Sequence, residues 1–228
     1  MKLHFSFALS LIGSASAVTL TFDTDLEGAV ISDNFTGLEH SSNFGGSMKV
    51  TAGGGWAGNG AKLNLRSNPA LWSEVKLAAA NGGTLNFDIT VVGSEQSLIG
   101  DKAPNWFQVV VIGNSTNAGA GGTGGWDQEV VGFGLNESDW PISPDTRTFN
   151  VSVDIFPSGP VAVGNGGIFL DTTEPGGWTE VALGLNNDSS AIDGATVYFD
   201  NISVNAVPEP SSALLLALAS LGLIHRKR

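Results

Sequence analysis

The sequence predicts an all-β fold, a two-sheet antiparallel β-sandwich of the jelly-roll kind, with a cleaved N-terminal signal helix before it and a short C-terminal transmembrane helix after it. Three observations lead there. Glycine is abundant, at 31 of 228 residues, and gathers in short clusters such as Gly53 to Gly55, Gly119 to Gly125 and Gly164 to Gly167. Between the clusters lie short segments rich in β-branched and aromatic residues, the spacing of strands joined by turns. Several of these segments alternate apolar with polar, so one face is dry and the other wet, as each sheet of a sandwich requires.

Taken in chain order, strands are expected at Thr19 to Phe22, Ala61 to Leu65, Thr84 to Val92, Trp106 to Ile112, Thr148 to Phe156, Gly167 to Asp171, Thr179 to Leu185 and Thr196 to Val204. Within Thr84 to Val92, Leu85, Phe87, Ile89 and Val91 share one face, and Thr84, Asn86, Asp88 and Thr90 share the other. Phe149, Val151, Val153 and Ile155 repeat the pattern, as do Val197, Phe199, Ile202 and Val204 with a break near Asp200. One short helix is expected around Pro69 to Ala80, where Leu71, Val75, Ala78 and Ala79 follow helical spacing. The Gly/Asn stretch from Asn114 to Gly125 reads as a loop. In a jelly roll of this length the first and last strands are expected side by side.

The two ends carry addresses. Residues 1–17 read as a secretory signal: Lys2, an apolar run from Phe5 to Ile12, then Ala15-Ser-Ala17, the small-residue pattern before a cleavage site. At the far end, Val207-Pro-Glu-Pro210 precedes an uncharged apolar run from Ser211 to Ile224, closed by His225-Arg-Lys-Arg228. The run is short for a spanning helix, which needs about 20 residues, and its basic end belongs on the cytoplasmic side. The folded unit is then 18–206, placed outside the membrane, with 207–228 as the sorting segment.

Composition narrows the functions open to that unit. Lys2, Arg226, Lys227 and Arg228 account for four of the ten basic residues and Glu209 for one of the 22 acids, which leaves a formal charge of −15 on 18–206. Nucleic acid would be repelled. There is no cysteine, so an exported chain must draw its stability from packing or a bound metal. His4 and His225 lie in the end segments and His40 stands alone, without a Gly-x-Ser-x-Gly elbow, so neither triad catalysis nor a zinc site is supported. Asp127 and Glu129 form the nearest carboxylate cluster, at an expected loop edge. The chain reads as non-catalytic.

Candidate binding groups are aromatic and acidic. Trp56 and Trp126 follow glycine runs and Trp178 follows Pro175-Gly-Gly, which places all three on loops where an indole face can carry a sugar ring. Asp127 and Gln128, beside Trp126, can bond sugar hydroxyls. Trp72 and Trp106 are expected in or near the core. Asp23, Asp25 and Glu27 alternate in the opening segment, but the loop is not an EF-hand, since its twelfth position is Asn34 and no helices flank it. The sequons at Asn34, Asn114, Asn150 and Asn201 are assigned no role.

Pro208-Glu209-Pro210, the short hydrophobic segment and the Arg226-Lys227-Arg228 cluster resemble the PEP-CTERM sorting signal of bacterial envelope proteins. That resemblance, confined to 207–228, implies an exosortase-type transpeptidase as partner, membrane insertion before processing, and display at the cell surface or in the extracellular matrix beside exopolysaccharide. More weakly, Phe22 to Gly28 and Val197 to Val204 look like the opening and closing strands of carbohydrate-binding-module jelly rolls. This second resemblance implies a structural calcium ion tying first strand to last, with Asp23, Glu27 and Asp200 as ligands, and extracellular polysaccharide as the partner. A purely structural envelope component and a divergent glycan hydrolase or lyase are the alternatives.

Overall fold

The structure, a computed structural model, describes residues 18–30, 35–52, 62–95, 106–113, 127–132, 143–157, 167–170, 172, 179–186 and 196–207. The expected signal segment 1–17 and the tail from residue 208 onward lie outside the described residues. Among the described residues no helix is long and apolar enough to cross a membrane.

The strands are β1 (Thr19–Leu20), β2 (Phe35–Ser41), β3 (Ser47–Ala52), β4 (Lys62–Asn64), β5 (Gly83–Val92), β6 (Trp106–Gly113), β7 (Asp127–Gly132), β8 (Thr146–Phe156), β9 (Ile168–Phe169), β10 (Thr179–Asn186) and β11 (Thr196–Ala206). They form a seven-stranded sheet, in the order β2-β3-β11-β5-β8-β9 with β1 against β11, and a four-stranded sheet, β4-β10-β6-β7. The antiparallel pairs are nested: β3 with β11, β4 with β10, β5 with β8, β6 with β7. One long hairpin rolled over itself gives that pattern. The domain is a jelly roll.

Two features depart from the sequence reading. The sheets are not wholly antiparallel, because β9 joins β8 in parallel through Ile155↔Ile168 and Phe156↔Phe169. Asp127 and Glu129, expected at a loop edge, open β7 and pair with Gly113 and Val111 of β6. The polar start Asp-Gln-Glu conceals a strand whose β-branched part is only Val130-Val131.

Alternation builds the core. Leu85, Phe87, Ile89 and Val91 are buried with Val151, Val153 and Ile155 of β8 and with Val197, Phe199, Ile202 and Val204 of β11. Leu63, Val111 and Val181 of the smaller sheet join the same cluster, so both sheets share one dry layer. Each fully buried side chain of this size contributes about 1.5–3 kcal/mol. Helix α1 (Pro69–Asn81) adds Leu71, Val75 and Ala78 to the cluster. The Asn68 side chain accepts from the Ala70 and Leu71 amides at 3.1 and 3.0 Å, and Pro69 opens the first turn, which satisfies donors that every helix start leaves over.

β11 is the organising strand. One side pairs with β5 along most of its length, while the other pairs first with β3 (Thr196 to Phe199) and then with β1 (Ile202 and Ser203). The first and last strands are therefore neighbours. At the change of partner the register slips between Asp200 and Ser203, and Asn201 takes φ 54°. This bulge is the break that the sequence pattern showed near Asp200.

Candidate functional site

Because β5, β8 and β11 turn their apolar residues inward, their polar residues line up across the outer face of the larger sheet. Register puts Lys49, Tyr198, Thr90 and Thr148 in one row across β3, β11, β5 and β8. The next row holds Asp200, Asp88 and Asn150, and the third holds Ser203, Asn86 and Ser152. Side-chain bonds run along each row: Thr90 Oγ1 to Thr148 Oγ1 at 2.8 Å, Asn150 Nδ2 donating to Asp88 Oδ1 at 2.6 Å, and Ser152 Oγ donating to Asn86 Oδ1 at 2.9 Å.

A cavity of about 190 Å³ opens on this face, lined by Phe44, Ser47, Asp88, Thr90, Thr148, Tyr198, Asp200 and Asn201. Its apolar wall comes from the turn between β2 and β3. There Gly46 N–H and Ser47 Oγ both donate to Asn43 O, and Phe44 takes φ 61°, a left-handed conformation that is costly for an aromatic residue. The result is a ring that is 48% exposed yet packed edge-on against Tyr198, with centroids 5.0 Å apart. Tyr198 itself is buried, and its hydroxyl donates to Glu95 Oε2 at 2.5 Å while accepting from Asn43 Nδ2 at 3.3 Å. Burial, then the bond to Glu95, raises the Tyr198 pKa, so it stays a neutral donor.

The polar wall is acidic. Asp88 accepts one amide on each oxygen, from Asn150 at 2.6 Å and from Asn201 at 2.9 Å. Asp200, directly opposite it in register, accepts the Asn201 backbone N–H at 2.6 Å. Burial, aided by the negative charges of Asp88, Asp23 and Glu27, pushes the Asp200 carboxyl from 3.8 up to about 6, although the Asn201 N–H pulls it back.

The opening segment stands beside this wall. Its chain passes so close to Gly46 that a Cβ there would lie 2.5 Å from Asp23 Cα and 2.7 Å from Phe22 O. His40 Nε2 donates to Phe22 O at 2.7 Å, and the Glu27 carboxylate takes the Phe22 N–H at 3.4 Å. The Glu27 pKa is raised, chiefly by burial and then by Asp25 and Asp23. The charges of Asp23 and Glu27 both act on Asp200, and these three are the calcium ligands that the resemblance implies. As the side chains stand, no group of three or more His, Cys, Asp or Glu among the described residues is gathered to hold a metal ion.

The other sequence candidates fare differently. Trp56, Trp126 and Trp178 lie outside the described residues, as do Pro208, Glu209, Pro210, Arg226, Lys227 and Arg228. Asp127 and Gln128 are placed only as backbone, on β7 of the smaller sheet. Trp72 is half-buried against the core, with the Arg66 guanidinium 4.4 Å from its ring centre. The residues that sequence reasoning missed are Phe44, Ser47, Thr148 and Tyr198, together with the amide roles of Asn150 and Asn201. The alternation places Asp88 and Thr90 on the wet face, but nothing short of the strand register joins them to Asp200.

No family model matches the chain. No curated protein matches it. Among solved structures it is similar to the C-terminal family 22 carbohydrate-binding module of Clostridium thermocellum Xyn10B, at 14% identity over 83% of this chain and 92% of that one, with a TM-score of 0.43. A family 30 carbohydrate-binding module of a cellulosomal cellulase from the same organism gives 14% identity, 86% and 100% coverage and a TM-score of 0.42. CtCBM11 gives 15%, 87%, 100% and 0.43. Likenesses this distant assign neither ligand nor residue roles, and the jelly roll rests on the strand pairing above.

Proposed function

We propose that this chain is a non-catalytic exported protein whose jelly roll binds extracellular polysaccharide, with the outer-face cavity as a glycan site. The observation that carries the reading is the lining itself. An exposed aromatic stands on one side, and a fixed set of carboxyl, amide and hydroxyl groups stands on the other. A sugar ring needs that combination, an apolar face for its C–H side and convergent polar groups for its hydroxyls. At about 190 Å³ the cavity is smaller than the roughly 300–1,000 Å³ of drug-sized pockets, and suits one sugar unit of a longer chain. The indoles of Trp56, Trp126 and Trp178, with Asp127 and Gln128, are proposed as a further platform.

Export rests on the ordered signals at the two ends, with an exosortase-type enzyme acting at Pro208-Glu209-Pro210 and display at the envelope or in the matrix. Finding the unprocessed chain in the cytosol would overturn that part. A structural calcium at Asp23, Glu27 and Asp200, the ligand set that the resemblance implies, is likewise proposed; the three side chains would have to draw together to hold it, since as they stand no such group is gathered among the described residues.

Affinity electrophoresis of the full chain through gels holding soluble polysaccharides tests the binding reading. Saturable retardation that weakens in Phe44→Ala supports it. Unretarded migration in every gel sinks it and leaves a purely structural envelope component. One observation favours a hydrolase as a second reading: two carboxyl groups stand side by side on one wall of a cavity and one is raised to about 6. Against it, both oxygens of Asp88 are held by amides, which blunts a nucleophile. Release of reducing sugar that disappears in Asp200→Asn would establish it.

A further inference from the structure

We propose that the outer-face cavity selects a cationic amino sugar, a deacetylated hexosamine unit whose ammonium sits between Asp88 and Asp200. The inference rests on the glycan reading above and narrows its substrate class.

Three observations carry it. First, the cavity has the two halves of a sugar site, with Phe44 as apolar wall and Thr90 and Thr148 as hydroxyl partners, so its acids belong to a shaped enclosure. Second, Asp88 and Asp200 are register partners on adjacent strands, and like charges placed directly opposite each other are unfavourable. Among the described residues that line the cavity there is no Lys, Arg or His to balance them. The base in the neighbouring row, Lys49, is engaged with Glu39 at 2.9 Å. Third, the amides of Asn150 and Asn201 hold the Asp88 carboxylate in place, so it is oriented before any ligand arrives. A neutral sugar leaves the facing carboxyl groups uncompensated, and a uronate adds to the repulsion. An ammonium supplies the missing charge and three donors for the carboxylate lone pairs that remain.

The test is a titration of the full chain, in EDTA to exclude divalent cations, with three oligosaccharides of equal length: glucosamine, N-acetylglucosamine and a uronate. The glucosamine oligomer is expected to bind about ten-fold more tightly than its acetylated counterpart, and the uronate least. Asp200→Asn and Asp88→Asn, each checked by thermal melting, should bring the two hexosamines to parity. Glu74→Gln, on α1, removes the same charge elsewhere and should leave the preference intact. Equal affinity for both hexosamines in the unaltered chain overturns this inference while glycan binding stands. A preference that survives both cavity substitutions overturns it too, since the bulk charge of the domain is then the cause. If no oligosaccharide binds, the glycan reading itself fails and the inference falls with it.

Discussion

Asp88 and Asp200 stand opposite each other in the β5–β11 register, and one residue, Asn201, bonds to both: its side chain to Asp88 at 2.9 Å and its backbone N–H to Asp200 at 2.6 Å. The bulge that gives Asn201 its φ of 54° makes this double contact possible. A regular strand would point the residue after Asp200 into the core.

The pair should leave a pH signature. Asp200 in the folded state titrates near 6, above its ordinary 3.8, so the folded protein holds this proton more tightly than the unfolded chain does. Its contribution to stability is complete below about pH 3.8 and is lost as pH rises through about 6. Asp200→Asn should therefore gain about 1 kcal/mol at neutral pH, a figure reduced for partial exposure, and nothing near pH 4. Urea unfolding across that range reads the difference, and a gain of equal size at both ends would refute the assignment.

Phe44 holds a left-handed backbone at φ 61°. Phe44→Ala and Phe44→Gly both delete the ring, but only glycine adopts that conformation without cost. The glycine variant should be more stable than the alanine variant by about 1 kcal/mol, while both lose glycan retention alike. Equal melting temperatures would show that the turn relaxes when the ring goes.

Gly46 marks a close approach of the opening segment to the turn that leads into β3. With φ 136° and a Cβ position 2.5 Å from Asp23 Cα, Gly46→Ala collides with backbone, which cannot step aside as a flexible side chain would. A loss of about 3 kcal/mol is expected from overpacking and strain together. Denaturant midpoints near the unaltered value would mean that Phe22 to Glu27 is not held where it stands.

Calcium, if it is bound at Asp23, Glu27 and Asp200, must raise the melting temperature, by the equivalent of about 2.7 kcal/mol at roughly a hundred-fold excess over Kd. Asp23→Asn with Glu27→Gln should abolish the rise. A melting curve indifferent to both calcium and chelator removes the ion from the reading.

The core was legible because its signal is local. Leu85, Phe87, Ile89 and Val91 announce a strand and its inward face within a few residues, and all four are buried. The bulge was visible for the same reason, as a missed beat at Asp200. β2 and β3 escaped notice: Phe-Thr-Gly-Leu-Glu-His-Ser and Ser-Met-Lys-Val-Thr-Ala carry few apolar residues, and β2 lies at a sheet edge. The cavity was illegible for a different reason. Its bond between Asn201 and Asp88 spans 113 positions, and its aromatic wall depends on a turn that lifts Phe44 over Tyr198. Register assembles such a site, and register is a property of paired strands rather than of any one segment.

The nested pairing also dictates when this domain can exist. β11, made last, is the shared neighbour of β1, β3 and β5, so the larger sheet lacks its middle until residues 196–206 have emerged. Partners this far apart in sequence make for slow closure. The smaller sheet and the β5–β8 and β2–β3 pairs need no β11, so a nascent chain can build both flanks early and joins them into one sheet only when its last strand arrives.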